Sequence, residues 1–195
     1  MNDKHSPAVI FTMSGLASGL LSGLSVVVPG LVVFVPGFLF GGALCFAIQK
    51  SLTPIAVGQQ LVLIVVSGVA YFLAEIGGLF FGAYLLGVDN GLFGGAIVGA
   101  ISGCIGATLL VFPLITFVEE SQPELTLLLT PFVGAILGSA FMVIGIFISD
   151  HTPIGHPWDD FLVFPMWQGG VAATMGVLCD PESDRMRDLD EGETI

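Results

Sequence analysis

The feature that most constrains this chain is a series of six long apolar runs that contain no lysine or arginine. They are residues 8–28, 31–48, 54–87, 91–118, 125–149 and 160–179. Each run reaches about 18 residues, the length that an α-helix needs to cross the hydrocarbon core of a bilayer. Charged residues make up only 10% of the chain, against about 25% in soluble domains. The pattern predicts an all-α fold, a polytopic transmembrane helical bundle of about six spans.

The acidic character of the chain is concentrated at its C-terminus. The formal net charge is −12, and residues 180–195 (DPESDRMRDLDEGETI) hold seven acids and two arginines. Because this segment has almost no apolar content, we expect a disordered, solvated tail after a membrane domain of residues 1–179. Four basic residues in the whole chain exclude a nucleic-acid-binding protein, so the predicted environment is the lipid bilayer.

The few basic residues predict the orientation of the chain. With six spans, Lys4, Lys50, Arg185 and Arg187 all fall on one face of the membrane. Lysine and arginine favour the cytoplasmic side, so both termini are predicted to be cytoplasmic and the 149–160 connection to be external. The predicted location is a bacterial inner (plasma) membrane.

The third apolar run is too long for one ordinary span. Residues 54–87 would form a helix of about 51 Å, whereas the hydrocarbon core is about 30 Å thick. The sequence Glu75-Ile76-Gly77-Gly78 is the natural break. We therefore predict a span over 54–76, followed by a segment over 77–87 that is either an extension of the helix or a re-entrant half-helix.

Small residues recur at intervals of four in several runs. Such residues share one helix face and allow the close backbone approach on which helix packing in lipid depends. We predict helix-packing positions at Gly15, Gly19, Gly23, Gly91, Gly95, Gly99, Gly103, Gly134 and Gly138. The contacts are expected within one subunit, and the alternative is a seam for a homo-oligomer or for partner membrane helices.

Glu75 is the one acidic side chain in the interior of an apolar run. A carboxylate in hydrocarbon is costly unless it is paired, protonated or hydrated, so an intramembrane acid is a candidate for cation binding or proton coupling. The alternative is that Glu75 ends its helix at the level of the lipid headgroups. Gln59, Gln60 and Gln168 are further candidates for a substrate or ion path, with ordinary interhelical hydrogen bonding as their alternative.

The predicted external connection contains a cluster of possible metal ligands. They are Asp150, His151, His156, Asp159 and Asp160. Two histidines and three carboxylates could hold a divalent metal. Their spacing matches no zinc motif, and the prolines of the segment also fit a plain surface loop.

No catalytic motif accompanies these residues, and no cofactor motif is present. An intramembrane serine protease needs Gly-x-Ser-Gly, but the nearest match, around Ser102 in GAISGCIG, lacks the first glycine. Two functional hypotheses remain. The first is a small transporter or channel subunit for a small solute or ion. The second is a non-transporting accessory or assembly protein that acts through glycine-mediated helix packing.

Overall fold

A computed structural model describes residues 6–25, 34–85, 87, 91–119, 121–151 and 160–180. This part of the chain forms six α-helices and no strand, which confirms the predicted all-α class. The helices are α1 (Pro7–Ser25), α2 (Val35–Ser51), α3 (Val57–Gly77), α4 (Leu92–Phe117), α5 (Pro123–His151) and α6 (Asp160–Leu178). The predicted acidic tail beyond residue 180 lies outside the described residues.

Four helical segments of the described chain are long and apolar enough to cross a membrane. They are Pro7–Ser25, Val57–Gly82, Leu92–Phe117 and Pro123–His151. The sequence predicted six spans. The two remaining helices, α2 and α6, have 17 and 19 residues, which corresponds to about 25 to 29 Å of helix. The chain is an integral membrane protein with the architecture of a helical bundle.

The six helices form a closed ring. Each helix packs on the one before it and the one after it, and α6 packs on α1. Neighbours run antiparallel: Gly176 near the end of α6 lies against Ala8 near the start of α1, whereas Gly19 lies against Pro165. Consecutive antiparallel neighbours follow from short connections between apolar helices.

The first and last helices meet at one end of the ring. Ser6 Oγ donates a hydrogen bond to Asp180 Oδ2 at 3.3 Å. The backbone N–H of Gln122, just before α5, donates to the carbonyl of Leu178 at 3.3 Å. The start of α1, the start of α5 and the end of α6 therefore share this end, which we call the Ser6–Asp180 end. The end of α5 and the start of α6 lie at the opposite end.

The third apolar run is not interrupted at Glu75–Gly78. After Gly77 the chain continues as a π-helix over Gly78–Leu85, and Gly78 keeps helical dihedral angles, φ −60° and ψ −49°. Gly78 lies against Ser102, and Gly82 lies against Val98. The segment therefore runs on antiparallel to α4, as an extension of the helix. This course is the one expected for the first of the two predicted alternatives, an extension of the helix.

Glycines of α4 and α5 lie at the contact between these helices. A Cβ atom added to Gly99 would collide with the backbone carbonyl of Gly138, and one added to Gly103 would collide with that of Gly134. The reciprocal additions on α5 meet the carbonyls of α4. Gly95 lies one turn further along, against the side chain of Ile146.

The glycines of α1 face α6. Gly15 lies against the carbonyl of Gln168 and Gly19 against the backbone of Pro165, while Gly23 is buried. Gly91 was predicted together with the packing glycines of α4. It is exposed and is the N-cap residue of that helix, because α4 begins only at Leu92.

Candidate functional site

The ring encloses a cavity of about 180 Å³, whose walls come from α2, α3, α4, α5 and α6. An engineered apolar cavity of about 150 Å³ is large enough to bind benzene. The wall is mostly apolar, with Leu110 and Met142 among its side chains. Few polar groups line it, and three of them come from one face of α3.

That face carries Ser67, Tyr71 and Glu75, spaced four residues apart. Ser67 is only 2% exposed, and its hydroxyl has no hydrogen-bond partner among the described residues. Tyr71 donates its hydroxyl to Glu75 Oε1 at 2.9 Å. Glu75 itself is exposed. The face therefore runs from a buried, unpartnered hydroxyl to a carboxylate at the open edge of the cavity.

Glu75 lies two residues before the end of α3, and the chain continues from there as the π-helix Gly78–Leu85. The apolar span continues for seven more residues, to Gly82. Among the described residues, no lysine, arginine or histidine lines the cavity. The single lysine or arginine in the described ranges is Lys50, in the last turn of α2, with its ammonium 5.9 Å from the centre of the Phe46 ring. Within the described chain, the carboxylate has a tyrosine donor and no basic partner.

Two aromatic pairs line the same cavity. The ring centres of Tyr71 and Phe164 are 5.9 Å apart, and those of Phe40 and Trp167 are also 5.9 Å apart. Trp167 Nε1 donates to the carbonyl of Gly134 at 3.3 Å, which holds the indole between α6 and α5. Aromatic faces carry negative charge density and attract cations within about 6 Å.

Gln168 lines the cavity, but its amide is occupied by neighbouring helices. The residue is 1% exposed, and its Oε1 accepts a hydrogen bond from Ser18 Oγ at 2.6 Å. Its Nε2 donates to Ser22 Oγ at 3.0 Å and to the Pro36 carbonyl at 3.4 Å. The side chain thus joins α6 to α1 and α2.

The other two predicted path residues lie away from this cavity. Gln59 Oε1 accepts from the backbone N–H of Ala56 at 2.8 Å, and Gln60 Nε2 donates to the carbonyl of Ile55 at 3.1 Å. Both bonds organise the start of α3. The structure therefore brings Glu75 and Gln168 to one cavity and leaves Gln59 and Gln60 outside it.

The predicted metal cluster is only partly described. Asp150 and His151 end α5 and are exposed, and the His151 ring stacks on Phe147 with its centre at 4.3 Å. His156, Asp159 and the side chain of Asp160 lie outside the described residues. In the described ranges, no three histidine, cysteine or acidic side chains come together as metal ligands do.

Sequence reasoning did not single out Ser67 and Tyr71. Their signal is the distance from Glu75: they precede it by eight and four residues, which places all three on one helix face. It also overlooked Gly37 and Gly41 of α2, which lie against the backbone of α3 beside Ser67. They are four residues apart, the same spacing that marked the glycines of α1, α4 and α5, so the signal was present in the sequence.

The cavity combines a carboxylate at its open edge, two aromatic pairs and an unpartnered inner hydroxyl. Small-molecule sites have this composition, a mostly apolar wall with a few polar groups that set the orientation of the ligand. Comparisons with protein-family models, curated proteins and solved structures found no match.

Proposed function

We propose that this integral membrane protein is a small transporter or channel subunit that moves a small solute or ion through its helix ring. The observation that carries the proposal is Glu75, a carboxylate without a basic partner among the described residues, on the wall of a cavity inside the span. An ionisable group at such depth is costly, and in membrane proteins it marks substrate and ion pathways.

The packing of the ring favours a transporter over an open pore. Between the cavity and the Ser6–Asp180 end, the ring is filled by buried apolar side chains. They include Leu44, Ile48, Leu63, Leu114 and Met175. A site that is accessible from one side and closed on the other is what alternating access requires. Glu75 would bind the transported cation or the coupling proton.

The alternative function has less support. It is an assembly protein that binds partner helices through its regularly spaced glycines. The glycines of α1 and α4 lie against α6 and α5 inside the ring. The outer surface instead presents bulky apolar side chains such as Val65, Leu128 and Phe132. These side chains suit lipid tails, and they do not permit the backbone approach on which glycine-mediated association depends.

We also propose that the Ser6–Asp180 end is cytoplasmic. Lys50 lies in the last turn of α2 and, through the antiparallel order of helices, at this end. Lys4, Arg185 and Arg187 flank the described chain next to Ser6 and Asp180. The rule that positive residues remain in the cytoplasm then directs the cavity toward the outside of a bacterial inner membrane.

Flux measurements on reconstituted protein test the proposal. Proteoliposomes are exposed to concentration jumps of protons, sodium, potassium, small amines, amino acids and sugars, and current or uptake is recorded. We expect flux of at least one solute class, and its loss in Glu75→Gln, because the amide keeps the shape and removes the charge.

Glu124→Gln is the matched control, since Glu124 is exposed in the first turn of α5 and away from the cavity. This variant should transport like the parent. Absence of flux for every solute class from well-folded protein would overturn the proposal, and so would equal flux in Glu75→Gln and the parent.

A further inference from the structure

We infer that the cavity takes a small organic cation: a protonated amine on an apolar body of about one ring, with a hydroxyl at its far end. The inference rests on the proposed function and deepens it, because it names the substrate class of the same cavity. Three features carry it: the charge at the open edge, the aromatic wall and the buried hydroxyl.

The charge determines the sign of the ligand. Glu75 is the one charged side chain among the described residues that line the cavity. Its Oε1 accepts a hydrogen bond from Tyr71, and none of the described residues supplies a basic partner. In a mostly apolar surrounding, a carboxylate repels an anion and gains from a cation. An ammonium group satisfies the carboxylate and donates hydrogen bonds to it at the same time.

The aromatic pairs favour an organic cation over a metal ion. Tyr71 and Phe164 form one pair and Phe40 and Trp167 form the other, and all four side chains line the cavity. Ring faces attract ammonium groups and also pack against apolar bodies. A bare sodium or calcium ion would need several oxygen ligands, and the described wall offers one carboxylate and a few hydroxyls.

The buried hydroxyl of Ser67 favours a ligand with a second polar group that can form a hydrogen bond with it. Ser67 Oγ has no partner among the described residues, although the side chain is 2% exposed. A polar group in that position loses free energy unless something hydrogen-bonds to it. Ser67 lies two helical turns from Glu75, about 12 Å along the axis. When the ammonium group of an arylalkylamine binds Glu75, a hydroxyl at the opposite end of the molecule points toward Ser67.

The volume and the wall exclude larger and more polar solutes. The cavity measures about 180 Å³, somewhat more than an engineered cavity of about 150 Å³ that binds benzene, and this volume suits one ring with a short chain. Sugars and other polyhydroxylated molecules would leave several hydroxyls without partners against Leu110, Met142 and the aromatic side chains.

Calorimetric titration of the full chain in lipid nanodiscs tests the charge preference directly. The probes are phenethylammonium, its neutral counterpart phenylethanol and the anion phenylpropanoate. We expect the ammonium to bind about tenfold or more tightly than the alcohol, and the anion to give no signal. Glu75→Gln should lose that preference, whereas Glu124→Gln should retain it. Equal affinities for all three probes would overturn the inference.

A second titration tests Ser67. The para-hydroxylated amine should bind several-fold more tightly than phenethylammonium, as expected for one hydrogen bond to a buried group. Ser67→Ala should abolish this difference. Ser51→Ala, at the far end of α2, should leave both affinities unchanged. An undiminished preference in Ser67→Ala would contradict the assigned orientation.

The titrations and the flux measurements together distinguish a failure of the proposed substrate class from a failure of the proposed transport function. Ammonium binding without flux in proteoliposomes would support the inference and overturn the transport proposal. Flux of another solute class without ammonium binding would overturn the inference and support transport. Thermal unfolding of each variant, measured beside the titrations, distinguishes a lost contact from a lost fold.

Discussion

The carbonyl group of Gly138 in α5 lies against Gly99 of α4, and the carbonyl group of Gly99 lies against Gly138 in the same way. The two helices touch here through their backbones. In lipid there is little hydrophobic drive for helices to associate, so close backbone contact of this kind contributes much of the association energy. Both glycines also line the cavity, which connects the packing of the ring to the shape of its site.

Replacing Gly99 with alanine should destabilise the protein. The new Cβ meets backbone atoms of Gly138, which cannot move away as a flexible side chain could. We expect the free energy of unfolding to fall by about 1 to 3 kcal/mol, the usual cost of overpacking. Gly42→Ala is the control, because no atom lies within 4 Å of its added Cβ. Equal unfolding curves for the two variants in bicelles would show that α4 and α5 do not make this contact.

The hydrogen bond between Ser18 and Gln168 should contribute measurably to the closure of the ring. A double-mutant cycle of Ser18→Ala and Gln168→Leu isolates this bond, whose length is 2.6 Å. We expect a coupling energy of about 0.5 to 1.5 kcal/mol in the free energy of unfolding. The value stays modest because Ser18 Oγ can also donate to the carbonyl of Gly15. The pair Gln168→Leu and Ser51→Ala should be additive, and additivity in both cycles would rule out the bond.

Positions 150 and 180 should be accessible from opposite sides of the membrane. This accessibility follows from the antiparallel helices of the ring, because the last residues of α5 and the last residues of α6 lie at opposite ends of it. In a chain whose three native cysteines are replaced by alanine, Asp150→Cys should react with an impermeant maleimide added outside intact cells. Asp180→Cys should react only after permeabilisation. Labelling of both positions from one side would be incompatible with this topology.

Removing the hydroxyl of Tyr71 should weaken ammonium binding without unfolding the protein. Tyr71→Phe retains the aromatic face that pairs with Phe164 and eliminates the donor to Glu75. We expect the dissociation constant of phenethylammonium to rise about threefold to tenfold, because the carboxylate loses the hydrogen bond that positions it; this range corresponds to about 0.6 to 1.4 kcal/mol, the net value of an ordinary hydrogen bond. Tyr84→Phe serves as control because Tyr84 is 77% exposed. The proposed geometry of Glu75 fails if both variants bind like the parent.

Several properties of this protein could be predicted from sequence because they depend on position along the chain alone. Run length and the absence of charge determine whether a helix suits a bilayer, and the helical membrane bundle was predicted on that basis. Glu75 was singled out for the same reason, since the cost of a carboxylate depends on its depth in an apolar run. Glycines four residues apart share a helix face whatever residues lie beside them. Packing positions such as Gly99 and Gly103 could therefore be predicted from sequence.

The tertiary structure decided which faces meet. Closure of α6 on α1 turns Gln168 toward Ser18 and Ser22. The packing of α2 on α3 places Ser67 at the cavity, where its hydroxyl has no partner among the described residues. Gly91 has the same spacing as Gly99, but it is the exposed N-cap residue of α4, because the helix begins only at Leu92. Such outcomes depend on where helices begin and at what angle they cross. These are set by contacts between residues far apart in sequence, and a one-dimensional pattern does not contain them.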